Sequence, residues 1–162
     1  MRLCIVCLVI FLNLYSILFA QPTKPVPLIL VDTFATDLKY LVLDADKIAS
    51  VNVFKDSVAT KLYGPGGKNG VVVIRTKEKI NFLRLNALFD KYELPDSLRK
   101  FRVCIDEILV KQPGLILVDP AEVAALSIIN ITDWDIVKAP ENEKVINIQR
   151  KHKNPDKSNS SN

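Results

Sequence analysis

The chain has little with which to staple, ligate or catalyse. Of its 162 residues, three are cysteine, and one each is histidine, tryptophan and methionine. Cys4 and Cys7 lie in the first twenty residues, so Cys104 stands alone in the remainder and no internal disulfide can form there. Stability has to come from a packed core. The one histidine, His152, sits between Lys151 and Lys153, where no acid, base or nucleophile set can be built around it. Cys104 falls in the apolar run Phe101 to Ile105 and reads as a buried core thiol. A single cysteine and a single histidine do not make a metal site. The expectation is a non-enzymatic protein with neither cofactor nor metal.

Charge of one sign is scarce too. Lysine and arginine number 22 against 18 acids, a formal net charge of +4, and no basic stripe of the nucleic-acid-binding kind is present. Glycine is sparse and uneven: four of the five fall within Gly64 to Gly70.

The N-terminus is apolar. Arg2 is followed by a stretch from Leu3 to Ala20 interrupted by Asn13 and Ser16, and then by Gln21-Pro22. A basic start, an apolar middle and a small residue at the cut describe a secretory signal peptide, residues 1–20. The competing reading is an uncleaved anchor helix, since the stretch nearly spans a bilayer. Cleavage removes Arg2 and changes the net charge from +4 to +3. The expected location is outside the cytoplasm, most simply the periplasm, with no integral membrane segment left after cleavage.

Two stretches repeat. "DADKIASVNVF" (44–54) aligns without a gap with "DPAEVAALSII" (119–129), matching Ile48 with Val123, Val51 with Leu126 and Val53 with Ile128. Upstream, Asp32 of "LILVD" matches Asp106 of "FRVCID", and downstream "VVVIRTK" (71–77) matches "VINIQRK" (145–151). Two copies of one unit of about fifty residues account for this. The expected class is α/β (α+β): two tandem strand-helix-strand-helix-strand units, 21–77 and 101–151, in one compact two-lobed domain. Residues 78–100 form a connecting helix and 152–162 a polar tail.

Local signals place the elements. Asp119-Pro120-Ala121-Glu122 offers a capping aspartate, a proline at the tolerated first position and a glutamate in the first turn, predicting a short helix that Asp44 begins less completely in the first copy. Asp56 is the expected cap of a helix over "SVATKLY", closed by Gly64 in a left-handed conformation. "VVVI" from Val71 is apolar on both faces, as a central strand covered on both sides should be. Ile80, Leu83, Leu88 and Tyr92 carry helical spacing, with Pro95 as the stop. Asp32 and Asp106 read as turn residues at strand ends rather than as a carboxylate pair.

The glycine loop, Tyr63, Gly64, Gly66, Gly67, Lys68, Asn69 and Gly70, is the candidate interaction site. Phosphate-binding loops run from a strand into a helix, whereas this one runs from a helix into a strand, and Lys68 is followed by Asn69 rather than Ser or Thr. A backbone anion nest beside Lys68 is the lesser alternative. Lys68, Arg75, Lys77 and Lys79 gather around the loop and its strand, as either a solvated face or an anion site. Trp134 is either a core filler or an exposed contact residue.

Residues 44–77 resemble the plug domain of TonB-dependent receptors in its SusC-like form. The resemblance rests on Lys55-Asp56, Tyr63-Gly64, Asn69-Gly70 and Thr76-Lys77 in that order and spacing. It implies a globular α/β plug fold and an association with outer-membrane transport. The family's barrel, of about 22 strands, cannot fit in a chain of this length. Asp32-Thr33 and Asp106-Glu107 stand where the family has an Asp-Gly turn, which argues against a tight hairpin at either place. The second copy has lost Tyr-Gly and Asn-Gly. The expected partner is an envelope or outer-membrane protein; the alternative is a small ligand held in a cleft between the two units.

Overall fold

The computed structural model describes residues 25–131 and 143–151. The fold is α+β, and among the described residues it comprises two four-stranded sheets, a two-stranded ribbon and two short α-helices.

The first sheet contains β1 (Leu28–Val31), β2 (Phe34–Thr36), β4 (Ile48–Phe54) and β5 (Val71–Thr76) in the order β2-β1-β5-β4. The second contains β6 (Arg102–Ile105), β7 (Ile108–Leu109), β9 (Val123–Ile131) and β10 (Glu143–Arg150) in the order β7-β6-β10-β9. Both are mixed: the first strand of each unit runs parallel to the last, and the other two pairings are antiparallel.

The remaining strands, β3 (Leu41–Val42) and β8 (Leu117–Val118), pair with each other in parallel, Leu41 with Leu117 and Val42 with Val118. Side chains alternate across a strand, so this ribbon has two apolar faces. Leu41 and Leu117 pack with Ile29, Val31 and Ile74 of the first sheet. Val42 and Val118 pack with Val103, Ile105, Ile146 and Ile148 of the second.

The central strands behave as their composition dictates. Val71 and Val73 pack under Ala59 of α1 (Asp56–Tyr63), while Val72 and Ile74 face the ribbon side. Val145, Ile146, Asn147 and Ile148 of β10 are fully buried.

Several expectations change. The helices foreseen after Asp44 and Asp119 are single 3-10 turns, Ala45–Lys47 and Pro120–Glu122. The caps are real: Asp44 accepts from the Asp46 amide at 3.0 Å and Asp119 from the Ala121 amide at 2.9 Å. However, Ile48 and Val123 already begin strands, so no residues remain for a second turn.

Helix α1 forms, but Lys55 occupies its cap position without a side-chain hydrogen bond. Asp56, the expected cap, is its first residue and sits at φ 53°. The connecting helix α2 is shorter than its periodicity implied, Leu85–Lys91. Leu83 instead exchanges two backbone hydrogen bonds with Val118, at 2.8 and 3.0 Å. The helix ends before Pro95, where Glu93 at φ 52° lets Leu94 and Glu93 donate back to the Phe89 and Asp90 carbonyls at 2.9 and 3.1 Å, a Schellman closure made without glycine.

Both tight hairpins form without glycine. Val31 pairs with Phe34 and Ile105 with Ile108, leaving two-residue turns at Asp32-Thr33 and Asp106-Glu107. Asp32 takes φ 53°, and Asp106 and Glu107 take 46° and 68°. Aspartate tolerates the left-handed region better than most side chains. A further bond fixes each turn: the Asp32 carboxylate accepts from the Thr76 amide at 3.1 Å and hydroxyl at 2.8 Å. The Asp106 carboxylate accepts from the Arg150 amide at 2.8 Å and from its guanidinium.

Candidate functional site

The seven residues singled out in the glycine loop lie on one segment that runs from the last residue of α1 to the residue before β5. Tyr63 ends α1 with its ring 5.7 Å from that of Phe54, the last residue of β4. Gly64 then takes φ 65°, and a 3-10 turn covers Gly64–Gly67.

Two further glycines here are needed for closeness or conformation. A Cβ on Gly67 would lie 2.4 Å from the Ala59 carbonyl oxygen, so the loop can fold back on α1 with no side chain there. Gly70 takes φ 90°, and its Cβ would meet the Phe54 oxygen at 3.2 Å.

The amides of Lys68 and Gly70 donate to Pro65 and Gly67 at 3.2 and 2.8 Å, and Leu28 donates to Gly70 at 3.0 Å. These internal bonds divert two of the amides that an anion nest would use. Pro65, Gly66, Lys68 and Asn69 are the exposed part of the turn, while Gly67 and Gly70 are buried.

The basic residues do not gather into one patch. Lys68 precedes β5, whereas Arg75, Lys77 and Lys79 belong to its far end, about 20 Å away at the rise of a six-residue strand. Arg75 there donates to the Asp32 carbonyl at 3.1 Å.

Beside the loop, the edge of the first sheet is open. Among the described residues β4 pairs only with β5. Val51 and Val53 lie opposite Ile74 and Val72 yet remain 55% and 58% exposed. Val58 and Leu62 of α1 are exposed as well. β4, α1 and the loop meet at Phe54 and Tyr63, with the loop at the Phe54 end of the edge; Val51 and Val53 share the ribbon face of the sheet with Ile74 and Val72, and α1 covers the other face.

A second feature lies between the two units. A groove of about 270 Å³ is lined by Val42, Leu43, Asp44 and Ala45 from one side and Asp106, Glu122, Arg150 and Lys151 from the other. Near it, Lys47 donates to both Asp119 and Glu122 at 2.5 Å. Those bonds, to Asp119 first and then Glu122, hold its ammonium pKa above the usual 10.5.

Arg84 is a further tie that sequence reasoning missed. Its guanidinium donates to the carbonyls of Ala35 at 2.8 Å, Ile116 at 3.2 Å and Gly114 at 3.3 Å, linking both units. Nothing in its sequence neighbourhood marks it, because all three acceptors are backbone atoms distant in the chain.

Cys104 is buried, and desolvation raises its pKa above the usual thiol range. Asp32 and Asp106 are separate turn anchors in different sheets. Among the described residues no group of three His, Cys, Asp or Glu side chains is arranged to hold a metal ion, and no helix is long and apolar enough to cross a membrane. Trp134, His152, the tail and the N-terminal stretch 1–20 lie outside the described residues. Comparison of the chain with protein-family models, with curated proteins and with solved structures finds no match.

Proposed function

We propose that this chain is a non-enzymatic, exported interaction module resembling a TonB-dependent receptor plug without its barrel, acting in the periplasm beside an outer-membrane transport system. The observation that carries the reading is the open edge of β4, with Val51 and Val53 exposed on it and the turn Pro65 to Asn69 alongside. An unpaired strand edge is a template for a partner strand, and the loop supplies adjoining side chains.

The test is crosslinking from Lys68 in the native envelope, with Lys157 of the C-terminal tail as control. A defined envelope protein captured from Lys68 alone is the expected result. Equal, diffuse capture from both positions overturns the reading.

The groove between the units favours a second reading, a small-ligand-binding protein. Its lining of three carboxylates and two cations suits a small polar ligand carrying charge of both signs. A thermal-shift screen of amino acids, short peptides, sugars and anions tests it. No stabilisation by any of them ends that reading.

A further inference from the structure

The β4 edge has a shape of its own. It is uncharged and proline-free from Ile48 to Phe54, unlike the edges that proteins protect with charge or proline. The opposite edges, β2 and β7, are only three and two residues long. A register shift lies between Ile48 and Ser50, so the regular part of the strand is Ser50 to Phe54, with Asn52 at its midpoint.

We infer that the occupant of this edge is β4 of a second copy of the chain, paired antiparallel about a two-fold axis at Asn52. The inference deepens the proposed function and rests on its reading of β4 as a recognition surface. Pairing over the regular segment sets Ser50 opposite Phe54 and Val51 opposite Val53, each twice. The exposed valines thus become two apolar cross-strand pairs on one face. The first sheets of the two copies then join into one of eight strands, with both α1 helices on the same side of it.

Charge at the strand ends supports self-pairing over other occupants. At the Ile48 end, the carboxylates Asp44, Asp46, Asp119 and Glu122 are close to balance with Lys47, Arg75, Lys77 and Lys151. At the Phe54 end, Lys55, Lys61 and Lys68 outnumber Asp56. An antiparallel two-fold keeps the two basic ends apart and sets each against the balanced, carboxylate-bearing end of the other copy. The strand itself places no like charges opposite one another. The equivalent edge strand β9 is less open, with Ile128 only 38% exposed.

Sedimentation equilibrium of the purified protein is the direct test. The expected result is a concentration-dependent monomer–dimer equilibrium that V51K or V53K weakens by about tenfold or more, because each valine pair is replaced by a lysine facing a valine at the seam. The melting temperature of the dilute monomer should stay the same, since both side chains are exposed. As a geometric test, N52C should give a disulfide-linked dimer on mild oxidation while I128C does not.

A monomeric mass at the highest attainable concentration overturns the inference, as does a dimer indifferent to V51K. These failures are distinct from failure of the proposed function. Capture of an envelope protein from Lys68 by a strictly monomeric chain leaves the interaction module standing and removes only the self-pairing.

Discussion

The two sheets share strand order, strand directions and hairpin positions, yet they finish their outer faces and edges differently. In the first, Val73 on the central strand lies with Val71 under α1. In the second, the equivalent position is Asn147, fully buried. Its side-chain oxygen accepts from the Glu107 amide at 2.9 Å, so an apolar contact is replaced by a bond that holds the β6–β7 turn.

The hairpin anchors differ likewise: Asp32 is held by a neutral hydroxyl and Asp106 by a guanidinium. At the junction, Lys47 and its equivalent Glu122 have opposite signs and bond each other. The comparison teaches that the backbone plan tolerates exchange of polar and apolar partners, provided each turn and each central strand keeps some partner.

The strongest way to break the comparison is to test whether the sheets stand independently. Leu117 belongs to the second unit but packs fully buried in the core of the first. Leu117→Ala should cost about 2–5 kcal/mol and, measured by hydrogen exchange, should deprotect β1 and β5 as well as β8. Loss confined to the second sheet would mean that the units are independent.

Next in size is the glycine loop of the first unit, whose glycines have no counterpart in the sequence of the second. Gly67→Ala forces a Cβ against the Ala59 backbone and should destabilise by about 1–3 kcal/mol in urea unfolding. Gly66→Ala, whose Cβ would meet only the end of Leu28 at 3.8 Å, should lie within about 0.5 kcal/mol of the parent.

The hairpin anchors give a smaller contrast. Asp106→Asn loses the pairing to Arg150, which is about half exposed, and should cost roughly 0.5–1 kcal/mol. Asp32→Asn keeps one acceptor, for the Thr76 amide, and turns the other position into a donor to the Thr76 hydroxyl, whose proton still has the Glu78 carbonyl at 2.7 Å, so it should cost less. Equal losses in chemical denaturation would show that the ion pair adds nothing.

The smallest effects are set by pH. Hydrogen bonding to Arg102 lowers the Glu143 pKa from its usual 4.5, so that pair contributes stability above pH 4.5 that is lost as pH falls through the lowered value. Lys47, raised above 10.5, contributes stability that is present below 10.5 and lost as pH rises through its raised value. Melting temperature against pH should decline in both limbs. Glu143→Gln should flatten the acidic limb and Lys47→Met the alkaline one.

Much of this fold was legible in residues that act locally. The capping aspartates Asp44 and Asp119 marked their turns, Gly64 marked the end of α1, and the β-branched run at Val71 marked a strand with two covered faces. A cap specifies where a turn begins but not how long it continues, which is why the capping signal at each place ends in one 3-10 turn rather than a helix.

Leu83 departs from its helical spacing for a related reason. Its spacing fitted a helix, but its backbone is claimed by Val118 from 35 positions later in the chain. The ribbon strands β3 and β8 are two residues each, too short to carry any period. Of the candidate site, the glycine turn was visible as composition. The open edge beside it was not, since Val51 and Val53 read as ordinary alternating strand residues until the sheet order leaves them outermost.

The ribbon carries one more consequence, which concerns synthesis. The first sheet has all its strands once Thr76 has been made, but its core is incomplete until Leu117 arrives. At ribosomal rates of about 5–20 residues per second, that gap of 41 residues lasts roughly 2–8 s. The second core awaits nothing new from the first half, because Val42 is already present. The nascent chain is therefore most vulnerable between these two points, with β1 and β5 assembled and their inner face still waiting for a residue not yet translated.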